Sequence, residues 1–283
     1  MKRLVALFVG SCLLALGAIG CADDDSDSDE SASGPYEVIS EVVSHETTQE
    51  ISVWAPDAEG DWPVVWAAHG TVDMGASRMD WEPLGKALAS EGVVVFAADN
   101  RQLDFESSQQ DGECAYRYAR SIASEYGGDL DQPVTFIGHS LGATTVLIGG
   151  LDEDTYGPSG TYDACFQGEP RPQVVVPIAG CHYEFEPMGE WEPDTTFWNA
   201  EGTELTVVGL ENDEVCAAWQ SADVTEVLVS EGYDATYVEI EGANHFAPLF
   251  GDVVNGEWVP DPDTPGSEEV LQVIREAMGL TES

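Results

Sequence analysis

Positive charge is what this 283-residue sequence most lacks. Nine Lys and Arg stand against 54 Asp and Glu, a formal net charge of −45. A surface of that sign repels phosphates, which excludes nucleic acid as a partner. It suits a protein kept soluble in a salty medium, where screening weakens its self-repulsion. No C-x-x-C pair occurs, so the spacing that marks zinc sites is missing, and neither metal nor cofactor is expected. No internal repeat is visible, and the hydrophobic fraction of 43% is that of a chain with one sizeable core.

The N-terminus is organised differently from the rest. Lys2 and Arg3 precede Leu4 to Gly20, which carries no charge, and Cys21 follows. That order reads as a secretory signal over residues 1–20. The stretch "AIGC", Ala18 to Cys21, resembles the lipobox of bacterial lipoproteins, in which the cysteine is lipidated and becomes the new N-terminus. Cys21 is therefore the expected lipid carrier, on an exported protein held to a bacterial membrane or cell surface through that anchor alone. A secreted protein is the alternative. "VGSC", ending at Cys12, is a rival site that would leave an apolar run downstream. Ala22 to Pro35 is acidic and almost without apolar groups, so residues 21–35 form a solvated tether. The remainder, 36–283, is long enough for one domain. With Cys12 and Cys21 set aside, Cys114, Cys165, Cys181 and Cys216 remain in an exported chain. Two disulfides follow, with three pairings open.

Within the domain, short β-rich runs alternate with helical ones. Tyr36–Val43 and Glu50–Trp54 read as an antiparallel entry. Pro63–Gly70, Val93–Asp99, Pro133–Gly138, Gln173–Gly180, Glu204–Leu210 and Ala235–Gly242 read as further strands, several of them continuous apolar runs. Helices are expected after a cap at Asp80, and over Cys114–Tyr126, Leu141–Gly149, Glu214–Ser230 and Ser267–Met278. Such alternation implies an α/β fold with a mostly parallel twisted sheet of about eight strands and helices on both faces. Ligands in such sheets sit at the carboxyl ends of the strands.

Those ends carry the chemistry-capable residues. His69, Gly70 and Thr71 follow the third strand. Ser140 follows the fifth in "GHSLG", a G-x-S-x-G turn whose small residues let a strand bend sharply into a helix. Asp213 follows the seventh in "END", and His245 follows the eighth in "NH". A serine hydroxyl needs a base to take its proton, and the base needs an acid to hold its tautomer. The chain order Ser, Asp, His is that of α/β-hydrolases. Ser140 is the candidate nucleophile, His245 the base and Asp213 the acid. His182, after the sixth strand, competes for the role of base, and Glu211 and Glu214 for that of acid. His139 and His69 read as structural members of their motifs, and Asp73 as a turn residue. Leu141, directly after the nucleophile, supplies one oxyanion-hole N–H.

From about Tyr36 onward, "HGT", "GHSLG", "END" and "NH" together resemble the α/β-hydrolase superfamily. The likeness is closest to its exported esterase and lipase branch of dienelactone-hydrolase-like, chlorophyllase-like and polyester-hydrolase-like enzymes. The resemblance implies the α/β-hydrolase fold, a carboxylic-ester substrate, an acyl-enzyme intermediate and Thr71 as the second oxyanion N–H. The sequence departs from the cysteine nucleophile of dienelactone hydrolases. It also departs from the aromatic residues that polyester hydrolases place after "HG" and after the sixth strand; Thr71 and Cys181–His182 stand there. Tyr183, Phe185, Trp191 and Trp198 are candidates for an acyl or aryl pocket or for the core of a capping loop. A peptidase on the same fold and a non-catalytic binding protein on a retired hydrolase scaffold are the alternative functions. A monomer is expected. In this fold the sixth and seventh strands are neighbours, which pairs Cys181 with Cys216 and leaves Cys114 for Cys165.

Overall fold

The structure, a computed structural model, describes residues 35–44, 50–71, 76–99, 105–151, 172–185, 189–190, 202–254 and 257–280. The signal segment, Cys21, nearly all of the tether, Asp73, Cys165, Trp191 and Trp198 lie outside the described residues.

Eight strands make one sheet: β1 (Val38–Ser44), β2 (Glu50–Pro56), β3 (Val64–Ala68), β4 (Val94–Ala98), β5 (Thr135–His139), β6 (Val174–Ile178), β7 (Glu204–Leu210) and β8 (Ala235–Ile240). Their order is 1-2-4-3-5-6-7-8. β2 runs antiparallel to β1 and β4, and every other neighbouring pair is parallel. β3 to β6 are buried at every position, which explains why β3, β4 and β6 are apolar runs without alternation.

Successive side chains of each strand still part to opposite faces. Val64, Trp66, Val94, Phe96 and Phe136 pack on one face with α2 (Phe105–Ile122), α3 (Leu141–Leu151) and α4 (Ala218–Ser230). Val65, Ala67, Val95, Ala97 and Ile137 pack on the other with α1 (Glu82–Ser90) and α5 (Ser267–Ala277). A one-residue slip of register would exchange the two cores. The layered α/β architecture expected from the sequence is the one observed.

Three boundaries differ from expectation. Ser77 caps the 3-10 turn Arg78–Trp81 that leads into α1, its Oγ accepting the Met79 N–H at 3.3 Å. Asp80 is the reciprocal partner, its Oδ2 accepting the Ser77 N–H at 2.9 Å. α2 begins at Phe105 rather than Cys114. α4 begins at Ala218 rather than Glu214, because Asp213 Oδ1 captures the N–H groups of Val215 and Cys216, at 2.8 and 2.7 Å. Two small hairpins have no counterpart among the expected strands, Glu184–Phe185 with Gly189–Glu190 and Gly251–Val254 with Glu257–Pro260.

Candidate active site

The chain passes from β5 into α3 through a single residue, Ser140. Its φ is 57°, in the left-handed region, and it is 3% exposed. The two flanking glycines make this turn possible. A Cβ at Gly138 would collide with the carbonyl oxygen of Gly142, and one at Gly142 with that of Ala68. The Ser140 N–H is tied to the carbonyl of Ile178 at the end of β6, 3.1 Å away.

The acid and base candidates meet beside this turn. His245 Nδ1–H donates to Asp213 Oδ2 at 2.7 Å, and both side chains are buried. With Oδ1 already accepting two backbone N–H groups, the carboxylate cannot swing away. The bond also fixes the tautomer, since a carboxylate oxygen accepts and Nδ1 must carry the proton. Nε2 is left with its lone pair. Ser140 Oγ rests 3.9 Å from Cys216 Sγ and makes no hydrogen bond to His245 among the described residues.

The loop after β3 crosses directly over the serine. A Cβ built on Gly70 would lie 3.2 Å from Ser140 Cβ and 3.6 Å from Oγ. His69 Nδ1–H donates to the Gly70 carbonyl at 2.7 Å. The peptide is planar and trans, so holding that carbonyl also sets the opposite direction of the Thr71 N–H. The N–H of Leu141, the first of α3, has no acceptor among the described residues. It is one of the donors every helix start leaves open.

The competing residues fall elsewhere. His182 is fully buried and neither ring nitrogen has a hydrogen-bond partner among the described residues; burial pushes its pKa down to about 3. Glu211 accepts the Gly242 N–H at 2.8 Å on the surface, and Glu214 is exposed. His69 is shifted down by burial, and His139 well down by burial and then by neighbouring His245. Cys181 and Cys216 form a disulfide with Cα atoms 4.8 Å apart, joining the loops after β6 and β7. Cys114 is also disulfide-bonded; its expected partner Cys165 lies outside the described residues. Tyr183 stacks on Trp219, with ring centroids 5.9 Å apart, and Trp219 is 51% exposed. No motif marks Trp219, because it lies at the start of a helix, away from the glycine-bounded strand ends.

A serine in a left-handed strand-to-helix turn, beside an Asp–His pair at the carboxyl edge of a mostly parallel sheet, stands on an α/β-hydrolase fold. No protein-family model matches the chain, and no curated protein matches it in sequence. Solved structures do share its fold. Esterase B from Lactobacillus rhamnosis superposes with a TM-score of 0.64 at 17% identity, covering 87% of each chain. A thermophilic esterase from Thermogutta terrifontis, solved with butyrate bound, gives 0.63 at 14% identity, over 86% of this chain and 92% of the other. A fungal esterase from Rhizomucor miehei gives 0.63 at 16%, over 86% and 85%.

Proposed function

We propose that the protein is a serine hydrolase that cleaves carboxylic esters through an acyl-enzyme intermediate. The observation that carries this reading is the Asp213–His245 hydrogen bond of 2.7 Å at the sheet edge where Ser140 stands in a left-handed turn. That the structural neighbours are named as esterases supports an ester over an amide.

In this reading Ser140 Oγ leaves Cys216 Sγ and attacks the ester carbonyl as His245 Nε2 takes its proton. Catalytic hydrogen bonds that are loose in a free enzyme tighten when substrate binds. Asp213 stabilises the imidazolium that forms, and the N–H groups of Leu141 and Thr71 receive the oxyanion. His245 then returns the proton to the departing alcohol. Water repeats the sequence on the acyl-enzyme, and the serine is regenerated. Export and a lipid on Cys21 belong to the same proposal, and Cys21→Ser should move the protein to the soluble fraction.

The test is labelling with a fluorophosphonate probe, alongside hydrolysis of p-nitrophenyl esters of graded chain length and of peptide amides. The wild type should be labelled and cleave esters. Ser140→Ala should do neither while keeping its circular dichroism, a loss of about 10⁴–10⁶ in rate. Undiminished ester hydrolysis in that variant would sink the proposal.

A further inference from the structure

We propose that His139, the residue before the nucleophile, is a positioning residue for His245, acting through a hydrogen bond to that residue's backbone carbonyl. The inference rests on the reading of His245 as the base. His139 Nε2 lies 2.7 Å from the carbonyl oxygen of His245, in the buried interior and between residues 106 apart in sequence. A carbonyl can only accept, so Nε2 carries the proton and Nδ1 the lone pair. Nδ1 is buried and has no hydrogen-bond partner among the described residues. It faces the loop after β3, where a Cβ on Gly70 would lie 3.7 Å from it.

If packing were the whole role of this side chain, an apolar ring or leucine would fill the space without stranding a nitrogen away from water. The imidazole is accounted for by the one bond it makes. That bond answers a need that Asp213 leaves unmet. Asp213 holds one edge of the His245 ring, at Nδ1. A ring held only there can still shift with its loop. The second hold, at the backbone, sets where the ring begins, and the two together set where Nε2 points. The His139 ring also flanks that of His245, with centroids 4.6 Å apart and planes inclined by 49°. Burial keeps His139 uncharged, so it adds no repulsion when His245 takes up a proton. Because His139 is joined by a peptide bond to Ser140, nucleophile and base share one short mechanical path. Displacing a reacting group by about 1 Å can cost on the order of 10²-fold in rate.

The experiment compares His139→Leu, His139→Asn and His139→Gln with the wild type and Ser140→Ala. The glutamine amide nitrogen reaches roughly the place of Nε2, whereas that of asparagine reaches only the place of Nδ1. Saturating fluorophosphonate counts competent sites, and kcat and KM for p-nitrophenyl acetate are then expressed per labelled site. We expect the Leu and Asn variants to lose roughly 10–100-fold in kcat per site with KM little changed, and the Gln variant to recover most of the loss. A role in folding alone would lower the number of labelled sites and leave the turnover of each intact. Wild-type turnover per site in the Leu or Asn variant would overturn the proposal, as would a Gln variant no better than Asn. Labelling that survives Ser140→Ala would instead overturn the hydrolase reading, and the proposal with it.

Discussion

The loop after β7 is held by covalent and backbone bonds, whereas the loop after β3 is held largely by ionisable groups. In the first, the Cys181–Cys216 disulfide ties the chain to the end of β6, and Asp213 Oδ1 takes two backbone N–H groups. The N–H of Asn212 is bound to the carbonyl of Ala243, 2.9 Å away in the loop that carries His245. In the second, His69 holds the Gly70 carbonyl. Past the undescribed residues 72–75, the chain is pinned by the Ser77–Asp80 capping pair and by Arg78, which reaches Asp99 and Glu50, each at 2.6 Å. The loop that carries Asp213 thus depends on a bond that reduction breaks, and the loop that carries Thr71 on groups that titrate.

That difference can be broken at either side. The largest effect should come from Asp213→Ala, which frees the His245 tautomer; kcat should fall by about 10⁴, measured on a p-nitrophenyl ester. Removing the disulfide with Cys181→Ala and Cys216→Ala together should cost about 10–100-fold in kcat, because Cys216 supplies one of the N–H groups on Asp213. Stability should fall by about 2–4 kcal/mol. In a urea titration, activity should vanish before the far-ultraviolet circular dichroism does; coincident curves would show that the bond braces the whole fold equally. On the other side, His69→Phe leaves the Thr71 N–H in place but no longer aimed. A loss of roughly 10-fold in kcat is expected, well short of the 10²–10³ that follows deletion of a donor.

The smallest effect concerns pH. Burial pushes the Asp80 carboxyl up to about 6; the Ser77 N–H pulls it down and Asp99 pushes it up. The folded state therefore holds a proton that the unfolded state has already released between about pH 4 and pH 6. Stability from this group is present below the unfolded value and is lost as pH rises through the folded one. Against Asp80→Asn, the wild type should lose about 1–2 kcal/mol over that window, after allowance for solvent screening, and nothing further above it. Chemical denaturation at several pH values measures the difference, and a constant gap between the two proteins would contradict it.

The strands were legible where burial is complete. "VVWAA" and "VVFAA" have no polar partner to alternate with, and their ends are marked by His69–Gly70 and Asp99. The two hairpins were not legible, because strands of two to four residues carry too few positions for a period to show. At the site, Ser140, Asp213 and His245 could be marked from the turn glycines and the strand ends. What they touch could not. The His139–His245 and His69–Gly70 bonds depend on ring orientation, which motif spacing does not encode. The start of α4 is not legible either, because Asp213 competes for the backbone N–H groups that would open the helix, and sequence spacing does not show that competition.

Ser140 is a position where the fold would be better served by another residue. A left-handed φ of 57° costs a residue with a Cβ about 1–2 kcal/mol, and glycine almost nothing. Ser140→Gly should therefore melt higher than the wild type, by about 2–4 °C for each kcal/mol relieved, while turning over nothing. A search for thermostable variants that scored melting temperature alone would reward loss of the serine, so engineering of this scaffold has to select on turnover from the first round.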